Sequence, residues 1–288
     1  SLDERIIPKG QYKDAMNIQV STSDDSDVGT VQNVLGNKRV ENIVGNDSRC
    51  VGSISNEKTN KLYWFIKNGN KDIILEFHQQ EDNDVCVPIF VDTKAGTVGA
   101  VLKFPDTIIT GINIIDDLLL WTDNHNEPRK INISRSTQGT TDVNTHTKLV
   151  VNNTVTASDV EEKHITVVRR RPLEIPTVIT DLIEEENEDI RLFEKDFVRF
   201  STRYKYADGE YSAFGPFTDV IFNPGEFDIP LNETFNSGMT NSIKSIELKN
   251  FVPNNLPKDV VQIDLLYKQE DSSVVYSIDS ITSSDAEW

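Results

Sequence analysis

Cysteine is nearly absent: Cys50 and Cys86 are the only two in 288 residues. Two thiols build neither a disulfide framework nor a cysteine-rich zinc site, and both read as buried thiols. Histidine is almost as scarce, at four. His78, His125, His146 and His164 are scattered among polar neighbours, and none sits in an H-x-x-x-H metal spacing. No apolar run approaches the ~18 residues of a membrane-spanning helix. The first residues, Ser1-Leu2-Asp3-Glu4-Arg5, have neither the basic start nor the apolar segment of a secretory leader. A P-loop, a G-x-G-x-x-G turn and a G-x-S-x-G elbow are also missing. No residue is therefore assigned as catalytic, cofactor-binding or metal-binding, and no cofactor is expected.

Basic charge is in deficit too. Against 47 acidic residues stand 29 basic ones, a formal net charge of −18. Tight wrapping of nucleic acid needs phosphate neutralisation by Lys and Arg, so it is disfavoured. An acidic wall past which nucleic acid slides without sticking remains compatible with this charge. Hydrophobic residues make up 37%, a low value that suits strands alternating between core and solvent.

What is present is a run of short strands, organised around the stretch 108–131. Ile108–Asn113 is rich in β-branched residues, and Leu118–Thr122 is an apolar run containing Trp121. Asp123–Pro128 carries Asn, Asp, Glu and Pro, which close turns by bonding their own backbone or fixing φ. Alternation resumes in Arg129–Ile133, with Ile131 and Ile133 on one face. An earlier segment has the same plan: 61–65 (KLYWF), a turn at Lys67–Lys71, and a return through Ile73–Phe77. Trp64 with Ile74 matches Trp121 with Ile131 in spacing, and Val51-Gly52-Ser53-Ile54 matches Ile109-Thr110-Gly111-Ile112 upstream. Repeated antiparallel hairpins of this length predict propeller blades, with each Trp between neighbouring sheets.

Other segments follow from local chemistry. Ala15–Ser21 and Gly29–Leu35 predict a hairpin, with Pro8-Lys9-Gly10 and Gly36-Asn37 as turns. Val85–Val91 and Val98–Phe104 read as further strands. Residues 136–158 read as an extended surface loop with a short strand at Leu149–Val151, and Glu161–Val168 as a strand. Arg169-Arg170-Arg171, followed by Pro172 and Pro176, reads as a linker, and Glu184–Glu188 as a solvated acidic run. From 197 to 206 alternation is strict, with Val198, Phe200, Thr202, Tyr204 and Tyr206 on one side. Asp208-Gly209 is a hairpin turn, and strands return at Tyr211–Phe222, Ser242–Phe251, Val260–Gln269 and Val274–Ile281. Their rhythm is that of an immunoglobulin- or fibronectin-type sandwich. The expected fold is all-β: a partial β-propeller over 1–170, a linker and acidic loop over 171–195, and a β-sandwich over 196–288. The chain reads as a segment of a longer polypeptide, with further blades after it.

Candidate sites are few. Adjacent Asp116-Asp117 point to opposite faces of a strand and read as turn residues, not a glycosidase pair. Asp24, Asp25 and Asp27, like Asp123, Asn124, Asn126 and Glu127, offer loop oxygens, but neither set has the spacing for the six to eight ligands of calcium. Lys58, Lys61, Lys67 and Lys71 surround Tyr63, Trp64 and Phe65, a mixture able to stack bases and hold phosphate; alternation favours aromatics in the core and lysines on the rim. Asn132 and Asn152 begin glycosylation triplets that matter only on a secretory route.

Four segments taken together resemble the tail nozzle or muzzle proteins of short-tailed bacteriophages, including crAss-like ones: DERIIPKGQYKDAMNIQVSTSDDSDVGTVQNVLGN near the start, ITGINIIDDLLLWTDNHNEPRKINI in the middle, and FVRFSTRYKYADGEYSAFGPFTDVIF with PKDVVQIDLLYKQED later. They are similar in role to tail tubular protein B and packaged-DNA stabilisation proteins. The resemblance implies a non-enzymatic virion protein with a propeller and a platform domain. Its copies would form a ring, six- or twelve-fold, around the channel below the portal. Implied partners are other tail and portal-adaptor proteins, tail fibres and DNA in passage, with no membrane span. Other expectations for such a chain are a carbohydrate-binding or glycan-degrading propeller, and a receptor propeller, since Leu120-Trp121-Thr122-Asp123 resembles the YWTD blades of lipoprotein receptors. The latter are secreted and disulfide-bonded, which the cysteine count opposes.

Overall fold

The structure, a computed structural model, describes residues 18–21, 30–33, 43–79, 84–182, 192–232 and 234–288. By internal contacts the chain divides into two units, Ser1–Glu41 and Asn42–Trp288. In the first, β1 (Ile18–Ser21) pairs antiparallel with β2 (Thr30–Asn33), the expected hairpin. The turns at Pro8-Lys9-Gly10 and Gly36-Asn37, the 22–29 loop with Asp24, Asp25 and Asp27, and the Glu184–Glu188 run lie outside the described residues.

The second unit is all-β, built from several antiparallel sheets with no closed barrel among the described residues. It begins with a four-stranded meander: β3 (Arg49–Asn56), β4 (Lys61–Asn68), β5 (Lys71–Gln79) and β6 (Asp84–Asp92). A three-stranded meander follows: β7 (Gly111–Ile115), β8 (Leu118–Thr122) and β9 (Arg129–Asn132). The two sheets share one core, in which Tyr63, Phe65 and Ile74 of the first meet Leu119, Trp121 and Ile131 of the second. Gly52 allows the close approach, because a Cβ there would lie 2.8 Å from Ile112 Cδ1 and 3.1 Å from the Ile109 carbonyl. The Ile109 amide donates to the Val51 carbonyl at 2.7 Å. The two segments of matching plan thus touch each other.

The tryptophans sit in separate sheets but not in equivalent places. Trp64 pairs with Leu75, whereas Ile74 pairs with Phe65. Cross-strand partners share a face, so Trp64 points away from Ile74, toward a second cluster containing Ile66, Ile73 and Val91. Trp121 shares its face with Leu119 and Ile131 in the inter-sheet core. Phe65, not Trp64, meets Trp121, edge-on at 5.4 Å. Because β4 is apolar on both faces, adjacent aromatics fill two cores, and the matched spacing does not carry a matched orientation.

Four other expectations are corrected. Residues 98–104 form turns rather than a strand. Residues 136–158 are not a surface loop: they include most of helix α1 (Ile133–Gly139), then buried His146 and Thr147, and the hairpin β10 (Lys148–Val151) with β11 (Thr154–Asp159). Asn132 caps α1 by accepting the Arg135 amide at 2.9 Å. The helix escaped notice because ISRSTQG has no apolar period. Glu162–His164 forms a 3-10 turn, and only Thr166 beyond it bridges, to Arg129. Cys50 is exposed and Cys86 half-buried, not two buried thiols.

Strand β12 (Thr177–Leu182) pairs with β14 (Ile243–Lys249), and β13 (Val198–Tyr206) with β15 (Val260–Gln269) and β16 (Tyr276–Thr282). The alternation read from β13 holds: Val198, Phe200, Thr202, Tyr204 and Tyr206 are buried. The two sheets contribute jointly to a core of Val198, Phe200, Ile221 and Ile243. Asp208-Gly209 turns as expected, with Gly209 at φ +80°. The return over 211–222 is irregular, since Gly215-Pro216 breaks the ladder. Ser212 Oγ and Thr218 Oγ1 accept the Tyr204 and Phe200 amides in place of carbonyls.

Candidate functional site

The histidines are dispersed. His146 Nδ1 accepts the Thr93 amide at 3.2 Å and Nε2 faces the Val160 carbonyl at 3.0 Å. His164 Nδ1 accepts the Glu161 amide at 2.9 Å, and burial lowers the pKa of its ring. His78 lies 3.3 Å from Glu76, and the His125 amide donates to Asp123. Asp116 and Asp117 make the turn between β7 and β8, with Asp116 at φ +51°. Asp123 accepts from the His125 and Asn126 amides at 2.9 and 2.8 Å and from Asn126 Nδ2 at 2.7 Å. These bonds explain its lowered pKa against the opposing effect of burial, and they make a turn, not a ligand cage. Among the described residues no cluster of three or more His, Cys, Asp or Glu could hold a metal ion.

The lysines around the first aromatic hairpin lie at its rim. Lys61 pairs with Glu76 at 2.7 Å, Lys67 with Asp106 at 3.0 Å, and Lys71 donates to the Val143 carbonyl at 2.9 Å. Tyr63 and Phe65 are buried and Trp64 half-buried, so no aromatic platform faces solvent between these charges.

Sequence reasoning missed two buried carboxylates opposite one another, Asp72 and Asp92. Asp92 Oδ2 accepts the Val101 and Leu102 amides at 2.6 and 2.9 Å, and Oδ1 accepts the Lys94 amide. Asp72 Oδ2 accepts the Phe104 amide at 3.0 Å. The pair ties down the 93–104 turns, which is why that apolar stretch needs no ladder. Asp92 has both oxygens engaged, whereas Asp72 Oδ1 is buried with no hydrogen-bond partner among the described residues. Burial raises the Asp72 pKa to about 6, opposed by the Phe104 amide and assisted by Asp92. The folded chain thus retains a proton between pH ~4 and ~6 that the unfolded chain has released. Stability should fall as pH rises through that window, by about 3 kcal/mol from this group. Asp72→Asn should remove that fall, as measured by urea unfolding of both proteins across the window. A wild-type stability that rises through it with the same slope in the variant would refute the assignment.

A second missed feature is an ionic junction between the sheets of 49–170 and the strands beyond 196. Arg129 and Lys130, adjacent on β9, are both buried despite alternation. Arg129 donates to the Leu102 carbonyl and to Glu162 at 2.6 Å. Lys130 meets Glu210, and Arg135 meets Asp208. Arg169, expected in a linker, is 2% exposed, ion-paired with Asp259, and stacked 4.0 Å over Tyr206. Charges this far from water persist only with partners. The junction joins the two halves with fixed cations and carboxylates, and its best-enclosed space holds only about 40 Å³, too little for a substrate.

Unpartnered apolar surface lies elsewhere. Residues 223–232 and 234–241 belong to an arm closed at its base by the Pro224–Asn241 bridge and higher up by the Ser237 amide donating to the Asp228 carbonyl at 2.7 Å. It leaves Phe227, Ile229, Leu231, Phe235 and Met239 exposed. Between the β12–β14 and β13–β15–β16 sheets runs an open groove of about 660 Å³, lined by Phe200, Leu248, Leu265, Tyr267 and Ile278. No helix among the described residues is long and apolar enough to cross a membrane. No protein-family model matches the chain, and no curated protein matches it.

Proposed function

We propose that the chain is a structural, non-enzymatic subunit of a short-tailed bacteriophage tail, a nozzle or muzzle component of the virion. It would ring the DNA exit channel below the portal, retain packaged genome and let it pass at infection. In this reading the two meander sheets are the first blades of a propeller, and the two-layer part from Thr177 onward, which takes strand β12 from the segment expected as linker, is an immunoglobulin- or fibronectin-like platform. The observation that carries it is the exposed apolar arm: five large exposed side chains between Phe227 and Met239 on a chain with net charge −18. Large apolar side chains gathered and exposed on one loop of an otherwise charged protein favour contact with other proteins. The antiparallel ladders and buried ion pairs supply a stiff wall, and the acidic surplus would repel DNA in passage if it lines the lumen. The sequence segments that resemble nozzle proteins point the same way.

The experiment is electron cryomicroscopy of the purified chain and of the particle that contains it. A symmetric ring, six- or twelve-fold, around an axial channel is expected. A monomer with an enclosed substrate pocket, or a chain absent from the particle, would overturn the reading.

A further inference from the structure

We infer that the basic ridge at 168–175 of one copy docks into the acid-rimmed groove between the β12–β14 and β13–β15–β16 sheets of the next. This rests on the ring reading and names its contact. The ridge is an exception on this acidic chain. Arg170 and Arg171 stand exposed side by side, flanked by exposed Val168, Leu173 and Ile175. Arg171 reaches only the Phe214 carbonyl, at 3.4 Å, and Arg170 has no ion pair among the described residues.

The ridge is held firmly from beneath. Arg169 is locked between Asp259, Tyr206 and the carbonyls of Lys163 and His164, at 3.0 and 2.9 Å. Pro172 is buried against Gly215, where a Cβ would come within 3.0 Å of the proline ring. Pro172 and Pro176 keep the segment extended. A surface already ordered loses little entropy on binding.

The groove is complementary in both respects. Its floor is apolar and its volume, about 660 Å³, is not filled by side chains of the described residues. Its rim carries Asp196, Asp279 and Glu287, all exposed. Asp196 accepts from Gln269, Asp279 from the Ser280 amide, and none of the three has a cation partner among the described residues. Exposed Leu192 and Ile278 continue the apolar surface to the lip. The cavities beside the ridge are lined by residues 127, 162–174, 204, 213 and 253–257, with none in common with the groove. Ridge and groove are therefore two separate surfaces on each copy, so the contact is head-to-tail, the type that forms rings when its rotation closes and filaments when it does not. Two arginines on apolar shoulders and carboxylates around an apolar trough, none with an ion pair among the described residues, favour a second copy of this chain over other occupants.

The test is charge reversal with the whole chain, read by light scattering and analytical ultracentrifugation. Arg170→Glu with Arg171→Glu should weaken assembly about tenfold or more, as should Asp279→Lys with Glu287→Lys. Mixing the two variants should restore association, because each then offers one surface that fits the other's. Wild-type assembly should weaken with added salt. All substituted positions are exposed, and unchanged thermal unfolding would verify folding. Assembly that survives both reversals would overturn the inference, assign the groove to another occupant and leave the ring reading standing. A wild-type chain that stays monomeric at high concentration would remove the ring reading and the inference together.

Discussion

Trp121→Ala should destabilise the second unit by about 3–5 kcal/mol. Trp121 is 2% exposed and fills the space between the two meander sheets, 5.4 Å from Phe65 and 6.4 Å from Phe104 by ring centroid. Removing the indole leaves a cavity walled by both sheets, which backbone ladders on either side prevent from collapsing. Its Nε1 has no acceptor among the described residues, so Trp121→Phe should cost far less, under about 1.5 kcal/mol. Trp64→Ala should also cost less, under about 2 kcal/mol, because Trp64 is half-buried on the outer face beside Phe77. Denaturant midpoints of the three variants give the comparison. Equal losses at Trp64 and Trp121 would mean that the two side chains hold equivalent inter-sheet positions, contrary to the register.

Asp259→Ala should cost a similar 3–5 kcal/mol, because it strands a buried guanidinium. Arg169 donates to Asp259 and to two backbone carbonyls and lies flat on Tyr206, with its side chain 2% exposed. Replacing Arg169 with Met in the Asp259→Ala background should recover part of the loss, since the uncompensated charge goes too. The exposed pair Arg199–Glu270 provides the contrast: at 2.5 Å it is geometrically close, yet both side chains meet water, and Glu270→Ala should cost about 1 kcal/mol or less. A double-mutant cycle on Arg169 and Asp259, followed by urea unfolding, measures the coupling. Loss at Asp259 no larger than at Glu270 would show that water reaches the junction.

Much of the strand content was legible because it is local. The alternation from 198 to 206 has a period of two, and burial follows it except at Ser201, which is buried on the other face with its hydroxyl donating to the Gly215 carbonyl. Asp208-Gly209 and Asp116-Asp117 turn where they should, because the backbone geometry of a turn depends on the residues in it. Helix α1 was not legible: its start is set by the Asn132 cap and its place by packing against β6 and β10, not by an apolar stripe.

By itself, then, the sequence determined an all-β chain of short antiparallel strands, the position of most of those strands and their turns, and an acidic surface. Which face each aromatic serves, and which charges leave water, were decided by the tertiary structure. Trp64 and Trp121 look alike in sequence, yet only Trp121 enters the inter-sheet core, because a one-residue difference in register reverses a strand's faces. Nothing local in the sequence marks Arg129, Lys130, Arg169 and Asp72 as buried; carboxylates, carbonyls and amides from distant segments come within bonding distance of them only in the fold. Those partners are remote in sequence, and a buried charge is tolerable only once the fold has brought them together.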